Sequence, residues 1–204
     1  MHRKALNHLR TADPKLALVI KRVGRCKLEP RAEGTHFDAV MRAIIYQQLS
    51  GKAAATILRR TLGLYGDRHP TPDELLATPD EKLRAVGLSR QKISYLKDLA
   101  IKVKTGAVPM EGLHELPDDD VLAALTAIKG VGRWTAQMFL MFRLGREDVL
   151  PVGDLGIQKA IMKSYGLRKM PSPDRVQRIG AKWAPHSTVA CWYLWRSLDA
   201  KAPD

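Results

Sequence analysis

The chain has 204 residues, of which 45% are hydrophobic, so it is long and apolar enough to bury a core and is not disordered. Its 34 Lys and Arg against 21 Asp and Glu give a formal net charge of +13, which indicates an anionic partner. No apolar run approaches the roughly 18 residues of a membrane span, and no signal-peptide core follows Met1, so we expect an intracellular protein with no membrane partner.

Apolar residues recur at helical spacing along most of the chain, and the alternation typical of strands never persists. The sequence therefore predicts an all-α fold. Two Thr-Pro-Asp-Glu segments, beginning at Thr71 and Thr78, predict capping boxes at the starts of two short helices. The other predicted helices cover residues 14–23, 36–48, 51–63, 90–104, 118–128, 133–144, 155–165, 172–183 and 187–199.

Residues 105–117 form the only extended stretch that carries Gly and Pro, so we expect the crossover between two helical lobes there. The predicted lobes are approximately residues 36–110, with the wedge, and 111–204, with the hairpin and Asp154, joined by an N-terminal helix over residues 1–35. Together they make a single compact unit over residues 1–204.

A Gly-x-Gly turn separates two of the predicted helices, at Gly130-Val131-Gly132. The glycines allow a tight reversal in which no Cβ blocks an approaching backbone. The helix that starts near Arg133 adds unpaired amides and a positive dipole end, which favour a phosphate oxygen. The alternative is a glycine-rich connection between helices that binds nothing.

Asp154 follows the hairpin in the sequence, twenty residues after Trp134. Asp154 stands directly before a predicted helix, where an aspartate is most often an N-cap. The same carboxylate could stabilise a developing positive charge or orient a water molecule. The capping and catalytic roles can hold together.

Metal-binding patterns of side chains are absent from the sequence. Cys26 and Cys191 are the only cysteines, and the six histidines include no pair three or four residues apart. We therefore expect no zinc, no iron–sulfur cluster and no required cofactor.

The Gly130–Ala136 hairpin, the Asp154 segment and the Tyr46–Ser50 element together resemble the helix-hairpin-helix (HhH-GPD) DNA glycosylase superfamily, and within it compact members of the 3-methyladenine DNA glycosylase II family. The resemblance implies a two-lobed fold with the active site in the interdomain cleft. It implies excision of alkylated purines, such as 3-methyladenine and 7-methylguanine, by base flipping and hydrolysis of the N-glycosidic bond. The partner would be double-stranded DNA that contains alkylated bases, bound by a monomer in the cytoplasm or, in a bacterium, at the nucleoid.

The same resemblance assigns roles around the base. Asp154 matches the catalytic aspartate, and Trp134 occupies the position where strand-cleaving relatives carry a lysine nucleophile, so no lyase activity is expected. An aromatic face at Trp134 suits a flipped cationic base. Trp192 is a second candidate for the pocket. Core packing is the alternative for both tryptophans.

Further residues are implied to contact DNA. Gln48 matches the intercalating position, with Leu49 as its substitute, and Arg90 and Lys92 lie in a basic turn that would face the opposite strand. The resemblance also implies a Na⁺ or K⁺ ion at the hairpin, held by backbone carbonyls. The hairpin contacts to DNA would come from Gly130, Val131, Gly132 and Arg133, and the ion's ligands from Thr126, Ile128 and Val131.

Two other functions remain open from the residues alone. The first is a glycosylase for another base lesion. The second is a non-catalytic helix-hairpin-helix module that binds DNA, which would need neither Asp154 nor an aromatic pocket.

Overall fold

The computed structural model describes residues 2–31 and 33–199, and in this part of the chain every regular element is helical. The predicted all-α fold is confirmed. The helices are α1 (Arg3–Ala12), α2 (Pro14–Val23), α3 (His36–Tyr46), α4 (Gly51–Gly63), α5 (Pro72–Ala77), α6 (Asp80–Ala85), α7 (Arg90–Lys104), α8 (Asp118–Thr126), α9 (Arg133–Phe142), α10 (Leu155–Ser164), α11 (Pro173–Gly180) and α12 (Ser187–Asp199), with a 3-10 helix (Ala181–Trp183) after α11.

Helix starts follow the capping chemistry of the sequence. Thr71 caps α5 in a capping box with Glu74, as predicted, and Thr35 does the same for α3 with Asp38. Each box satisfies amides that the first turn of a helix leaves unpaired.

The second predicted capping box, at Thr78, is wrong. Thr78 ends α5 instead of starting α6, because its hydroxyl donates to the carbonyl of Glu74 at 2.7 Å and contacts the Tyr65 hydroxyl at 2.8 Å. Helix α6 begins at Asp80, and no side chain caps it. The predicted N-terminal helix over residues 1–35 is instead two shorter helices, α1 and α2, which end at Ala12 and Val23. Of the ten residues of α1 only Ala5 and Leu9 are buried, so its apolar pattern is sparse.

The chain forms two compact units. The terminal unit consists of Met1–Arg31 and Leu140–Asp204, and the central unit consists of Ala32–Phe139. These boundaries differ from the predicted lobes. The hairpin belongs with residues 32–110 because α7 holds it, and the N-terminal segment belongs with the C-terminal part because α2 packs on α12.

In the terminal unit, α12 packs on α2 and α10. The fully buried carboxylate of Asp13 caps α2 and also accepts hydrogen bonds from the Tyr165 hydroxyl and, at 2.8 Å, from the Trp183 indole. Asp13 therefore ties the first two helices to the end of α10 and to the 3-10 helix.

In the central unit, α7 is the main packing element and contacts α3, α5 and α6. Its buried residues Ile93, Leu96, Leu99 and Ala100 form one apolar face. No helix in the described residues is long and apolar enough to cross a membrane.

Candidate active site and hairpin

Asp154 lies at the N-cap of α10, with only 8% of its surface exposed. Its Oδ1 accepts the amide of Ile157 at 2.7 Å, which is the predicted N-cap bond. The preceding turn is held by the Asp154 amide, which donates to the Pro151 carbonyl at 2.9 Å, and by the Gln158 side chain, which donates to the Val152 carbonyl at 3.0 Å. The carboxylate is therefore fixed in position by the start of a helix.

Trp195 of α12 donates its indole N–H to the same Oδ1 atom of Asp154, at 2.9 Å. This approach depends on Gly156, since a Cβ there would lie 2.9 Å from Cδ1 of Trp195 and 3.0 Å from Oδ1 of Asp154. The indole of Trp195 also contacts the ring of Phe142, with centroids 5.9 Å apart. An aromatic donor thus orients the carboxylate.

Trp192, the predicted pocket tryptophan, has other contacts. It is 8% exposed, its ring packs edge-on against Tyr193 with centroids 4.9 Å apart, and the Arg196 guanidinium lies 5.6 Å from its centroid. The structure thus brings Trp195, and not Trp192, to the carboxylate of Asp154.

The hairpin in the central unit is built around Gly130, whose φ is +77°. A Cβ at this position would lie 2.1 Å from Cδ2 of Tyr95, so the Tyr95 ring occupies the space that any other residue would need. Gly132 differs, because a Cβ there would meet nothing within 4 Å. Gly130 is required by the fold, whereas Gly132 leaves open space beside the turn.

The hairpin amides fall into two groups. Val131 donates to the Ile128 carbonyl at 3.0 Å and Lys129 donates to Oδ2 of Asp98 at 2.8 Å, so these two amides hold the turn together. Within the described residues, the amides of Gly130, Gly132 and Arg133 have no intramolecular acceptor. These three are available to an anion, whereas the predicted amide contact from Val131 is not, because that amide is already used.

Trp134 is the second residue of α9, and 51% of its surface is exposed. Core packing, the alternative for this residue, would bury the ring. Such a large exposed aromatic surface is unusual for tryptophan and is typical of a binding surface. Arg133, also exposed, places a guanidinium at the same helix start.

The turn between α3 and α4, residues 47–49, contains the predicted wedge and is here called the wedge turn. Gln48 has φ +57°, the left-handed region that non-glycine residues rarely adopt, and its side chain is exposed. Leu49 is 38% exposed. Ser50 caps α4 directly afterwards. Both candidates for the intercalating residue therefore stand on the surface of a tight turn.

Lys92 has a different position from the predicted one. Its ammonium donates to the carbonyls of Ile45 at 2.6 Å and Gln47 at 2.9 Å, so it caps the end of α3 and is directed into the central unit. Burial lowers its pKa. Arg90, by contrast, is exposed at the first position of α7, where it is accessible to a phosphate.

No cluster of His, Cys, Asp and Glu side chains in the described part of the chain could hold a metal ion. Backbone carbonyls of the hairpin could also bind a cation, and they are not part of such a cluster. The Ile128 carbonyl accepts one hydrogen bond, from the Val131 amide. The carbonyls of Thr126 and Val131 accept no hydrogen bond within the described residues. All three carbonyls thus retain lone pairs for a cation.

Several site residues have no sequence signal of their own. Trp195 lies 41 residues from Asp154 and Gln47 lies 83 residues from Gly130, and each pair is joined only by the fold. The requirement for Gly156 and the exposure of Leu155, at 71%, likewise appear only in three dimensions.

Comparison with known proteins agrees with this geometry. A family model described as HhH-GPD superfamily base excision DNA repair protein matches residues 41–186. The chain is 35% identical to DNA-3-methyladenine glycosylase 1 of Schizosaccharomyces pombe over 197 residues, which are 95% of this chain and 86% of that protein. A solved 3-methyladenine DNA glycosylase of the same organism, in complex with abasic DNA, aligns with a TM-score of 0.82 and 35% identity over 94% of this chain and 95% of that one. The structure of a DNA-3-methyladenine glycosidase from Bacillus halodurans aligns with a TM-score of 0.84 and 36% identity, over 96% and 94% of the two chains.

Proposed function

The chain belongs to the HhH-GPD superfamily of base excision DNA repair proteins, and on this premise we propose that it is a monofunctional DNA glycosylase that excises alkylated purines from double-stranded DNA. The observation that carries the proposal is the buried Asp154 carboxylate, which accepts hydrogen bonds from the Ile157 amide and from the Trp195 indole. A protein that only bound DNA would need Asp154 as a helix cap alone, and its activity, if any, would not depend on the charge of this carboxylate.

The substrate class follows from the chemistry of a single carboxylate. Methylation at N3 of adenine or N7 of guanine gives the base a positive charge, so it departs as a neutral molecule without being protonated. The C1′–N bond breaks with both electrons going to the base, and positive charge develops on the sugar. Asp154 stabilises that charge electrostatically. Water then adds to C1′, and its proton passes to the carboxylate or to solvent.

DNA is held mainly through its backbone. The available amides of Gly130, Gly132 and Arg133 lie at the start of α9, where the helix dipole favours a phosphate. Arg133 and Arg90 add charge to the surface of the central unit. The net charge of +13 supports a polyanionic partner as well.

A flipped base needs an aromatic surface to stack on, and the gap that it leaves in the base stack needs a side chain to fill it. Trp134 offers its exposed ring to the cationic base, where stacking and cation–π attraction act together. Gln48, or Leu49 beside it, fills the vacated stack. No step requires an amine nucleophile, so the product is an intact strand with an abasic site.

An alkali ion at the hairpin is part of the proposal. The carbonyls of Thr126, Ile128 and Val131 would hold Na⁺ or K⁺, which would supply a fixed positive charge close to a bound phosphate. If so, replacing KCl by tetramethylammonium chloride at equal ionic strength lowers the melting temperature of the free protein. An unchanged melting temperature would count against the ion.

The protein would act as a monomer in the cytoplasm, and at the nucleoid if the cell is bacterial. Sedimentation of the protein with and without a short duplex tests the stoichiometry, with one protein per duplex expected. A dimer in either state contradicts this part of the proposal.

Base release from methylated duplex DNA by the wild type and by Asp154→Asn tests the proposed reaction. Asparagine is as good an N-cap as aspartate and can still accept from Ile157 and Trp195, so this substitution removes the charge and leaves the helix start intact. We expect the wild type to release 3-methyladenine or 7-methylguanine and to leave strands intact until alkali treatment. The variant should release neither base while binding duplex DNA with wild-type affinity.

The control is Asp174→Asn, which removes a carboxylate from the first turn of α11, at an exposed position of the same unit. It should retain full activity. Binding without release by the wild type would indicate a glycosylase for another lesion or a binding module. Equal release by the wild type and Asp154→Asn would remove Asp154 from the mechanism.

A further inference from the structure

We propose that Gln47 and Lys92 are positioning residues that fix the wedge turn to the hairpin and to α7, so that the wedge enters the DNA stack only together with the grip of the hairpin on the phosphate backbone. This inference rests on the proposed function. It gives a positioning role to two residues that contact neither the base nor the bond that breaks.

Lys92 fixes the beginning of the wedge turn. Its ammonium donates to two carbonyls at the end of α3, Ile45 at 2.6 Å and Gln47 at 2.9 Å. The last carbonyls of a helix lack intrahelical partners, and a cation there also meets the negative end of the helix dipole. The peptide that leads into Gln48 is therefore held from inside the central unit.

Gln47 links the wedge turn to the hairpin. Its side-chain amide donates to the carbonyl of Gly130 at 2.8 Å, across 83 residues of sequence. The Gln47 backbone accepts from Lys92 while its side chain donates to Gly130, so the residue is fixed at both ends. The hairpin and the residue next to the wedge are therefore joined directly.

Helix α7 carries the partners of both loops. Lys92 holds the wedge turn, Tyr95 fills the space over Gly130, and Asp98 accepts the amide of Lys129 at 2.8 Å. These three residues are spaced by three along α7, which places them on adjoining parts of its surface. The wedge turn and the hairpin therefore share a single support.

The backbone of Gln48 is the reason that such support is needed. At φ +57° this residue is held in a conformation that costs free energy and persists only where its surroundings fix it. Without the bonds to Lys92 and Gln47, the turn would relax to other conformations. The wedge would then no longer project in the geometry that the fold now sets.

The inference is tested with a duplex that carries a tetrahydrofuran abasic analogue and 2-aminopurine next to it, because insertion of the wedge unstacks 2-aminopurine and raises its fluorescence. This readout involves no bond cleavage. For Gln47→Leu, which loses one hydrogen bond, and Lys92→Met, which loses two, we expect the insertion equilibrium to fall by about fivefold to tenfold or more. Affinity for an undamaged duplex should change by less than about twofold, because the hairpin amides remain.

Matched variants separate positioning from general damage to the fold. Lys92→Arg keeps a donor for both carbonyls and should restore most of the insertion. Lys97→Met, on α7 but paired with Asp80, and Gln177→Leu, exposed on α11, should match the wild type. Melting temperatures of all variants are measured alongside.

A double-mutant cycle gives the decisive result. If Gln47 acts through the wedge, Gln47→Leu causes no further loss of insertion in a protein that already carries Gln48→Ala, or Leu49→Ala if Leu49 is the intercalating residue. Equal losses in the presence and absence of the wedge side chains would overturn the inference, as would wild-type insertion by Gln47→Leu. A wild type that never unstacks 2-aminopurine would contradict the proposed function itself.

Discussion

The indole N–H of Trp195 and the amide of Ile157 donate to the same oxygen, Oδ1 of Asp154, at 2.9 and 2.7 Å. One donor belongs to the helix that Asp154 caps, and the other belongs to α12. The two bonds fix the rotation of the carboxyl group about its Cβ–Cγ bond. The orientation of a catalytic carboxylate is thus set by tertiary structure and not by the capping motif alone.

We expect Trp195→Phe to lower the excision rate of 7-methylguanine about tenfold, which corresponds to about 1.4 kcal/mol. Phenylalanine keeps an aromatic ring beside Phe142 but cannot donate to Asp154. Single-turnover kinetics measure the chemical step, and affinity for an abasic duplex should stay within about threefold of the wild type. Trp192→Phe is the control, because Trp192 contacts Tyr193 and Arg196 and not the carboxylate. A wild-type rate for Trp195→Phe would refute the orienting role.

The two hairpin glycines should respond differently to alanine. Gly130→Ala forces a Cβ into the Tyr95 ring at a positive φ, and we expect it to destabilise the protein by about 2–4 kcal/mol. Gly132→Ala meets no atom and should leave stability within about 0.5 kcal/mol, yet weaken DNA binding because its methyl group lies where a phosphate approaches. Urea unfolding and duplex titrations of both variants measure the two effects. Unaltered DNA affinity in Gly132→Ala would argue against a backbone grip at this glycine.

The sequence predicted the parts of the molecule that rest on local chemistry. The all-α fold, the Thr71 capping box and the N-cap role of Asp154 follow from residue types at fixed short spacings. Thr78 shows the limit of such reasoning, because the same four-residue motif instead ends a helix where the Thr78 hydroxyl bonds both the Glu74 carbonyl and the Tyr65 hydroxyl.

The contacts that orient the site could not be predicted in this way. Trp195 and Trp192 are indistinguishable by spacing, and only the packing of α12 on α10 selects Trp195 as the partner of Asp154. Lys92 is similar, since a lysine near a helix start resembles a phosphate contact until the fold brings the end of α3 within reach of its ammonium.

Arg133 is expected to contribute one phosphate contact. It is exposed at the start of α9, beside the available amides of Gly130 and Gly132. For Arg133→Gln we expect the slope of log affinity against log salt concentration to become less steep by about 0.9. The slope is obtained by measuring affinity at KCl concentrations from about 50 to about 200 mM. Arg68→Gln serves as the control, since Arg68 is already paired with Glu74, and its slope should equal that of the wild type.

Asp13 should make stability depend on pH in the acid range. Burial alone would raise the pKa of this carboxyl group, but hydrogen bonds from Tyr165, Trp183 and the Leu16 amide, together with Lys182, outweigh burial and lower it. A group with a lowered pKa in the folded state stabilises the protein fully above its unfolded pKa of about 3.9, and this stabilisation is lost as pH falls through the folded pKa.

Asp13→Asn should therefore be costly at neutral pH. Both carboxylate oxygens accept from donors, Oδ1 from the α2 amides and Oδ2 from Tyr165 and Trp183, so the asparagine NH₂ must face a donor on one side. We expect a loss of about 3–5 kcal/mol at pH 7 by urea unfolding. The difference from the wild type should begin to shrink below about pH 4, where the unfolded chain takes up a proton at Asp13 that the folded protein does not, and should continue to shrink as the pH falls through the lowered pKa of the folded carboxyl group. The exposed control Asp73→Asn should cost little, and a difference for Asp13→Asn that stays constant down to pH 2 would show that its hydrogen bonds, and not its charge, provide the stabilisation.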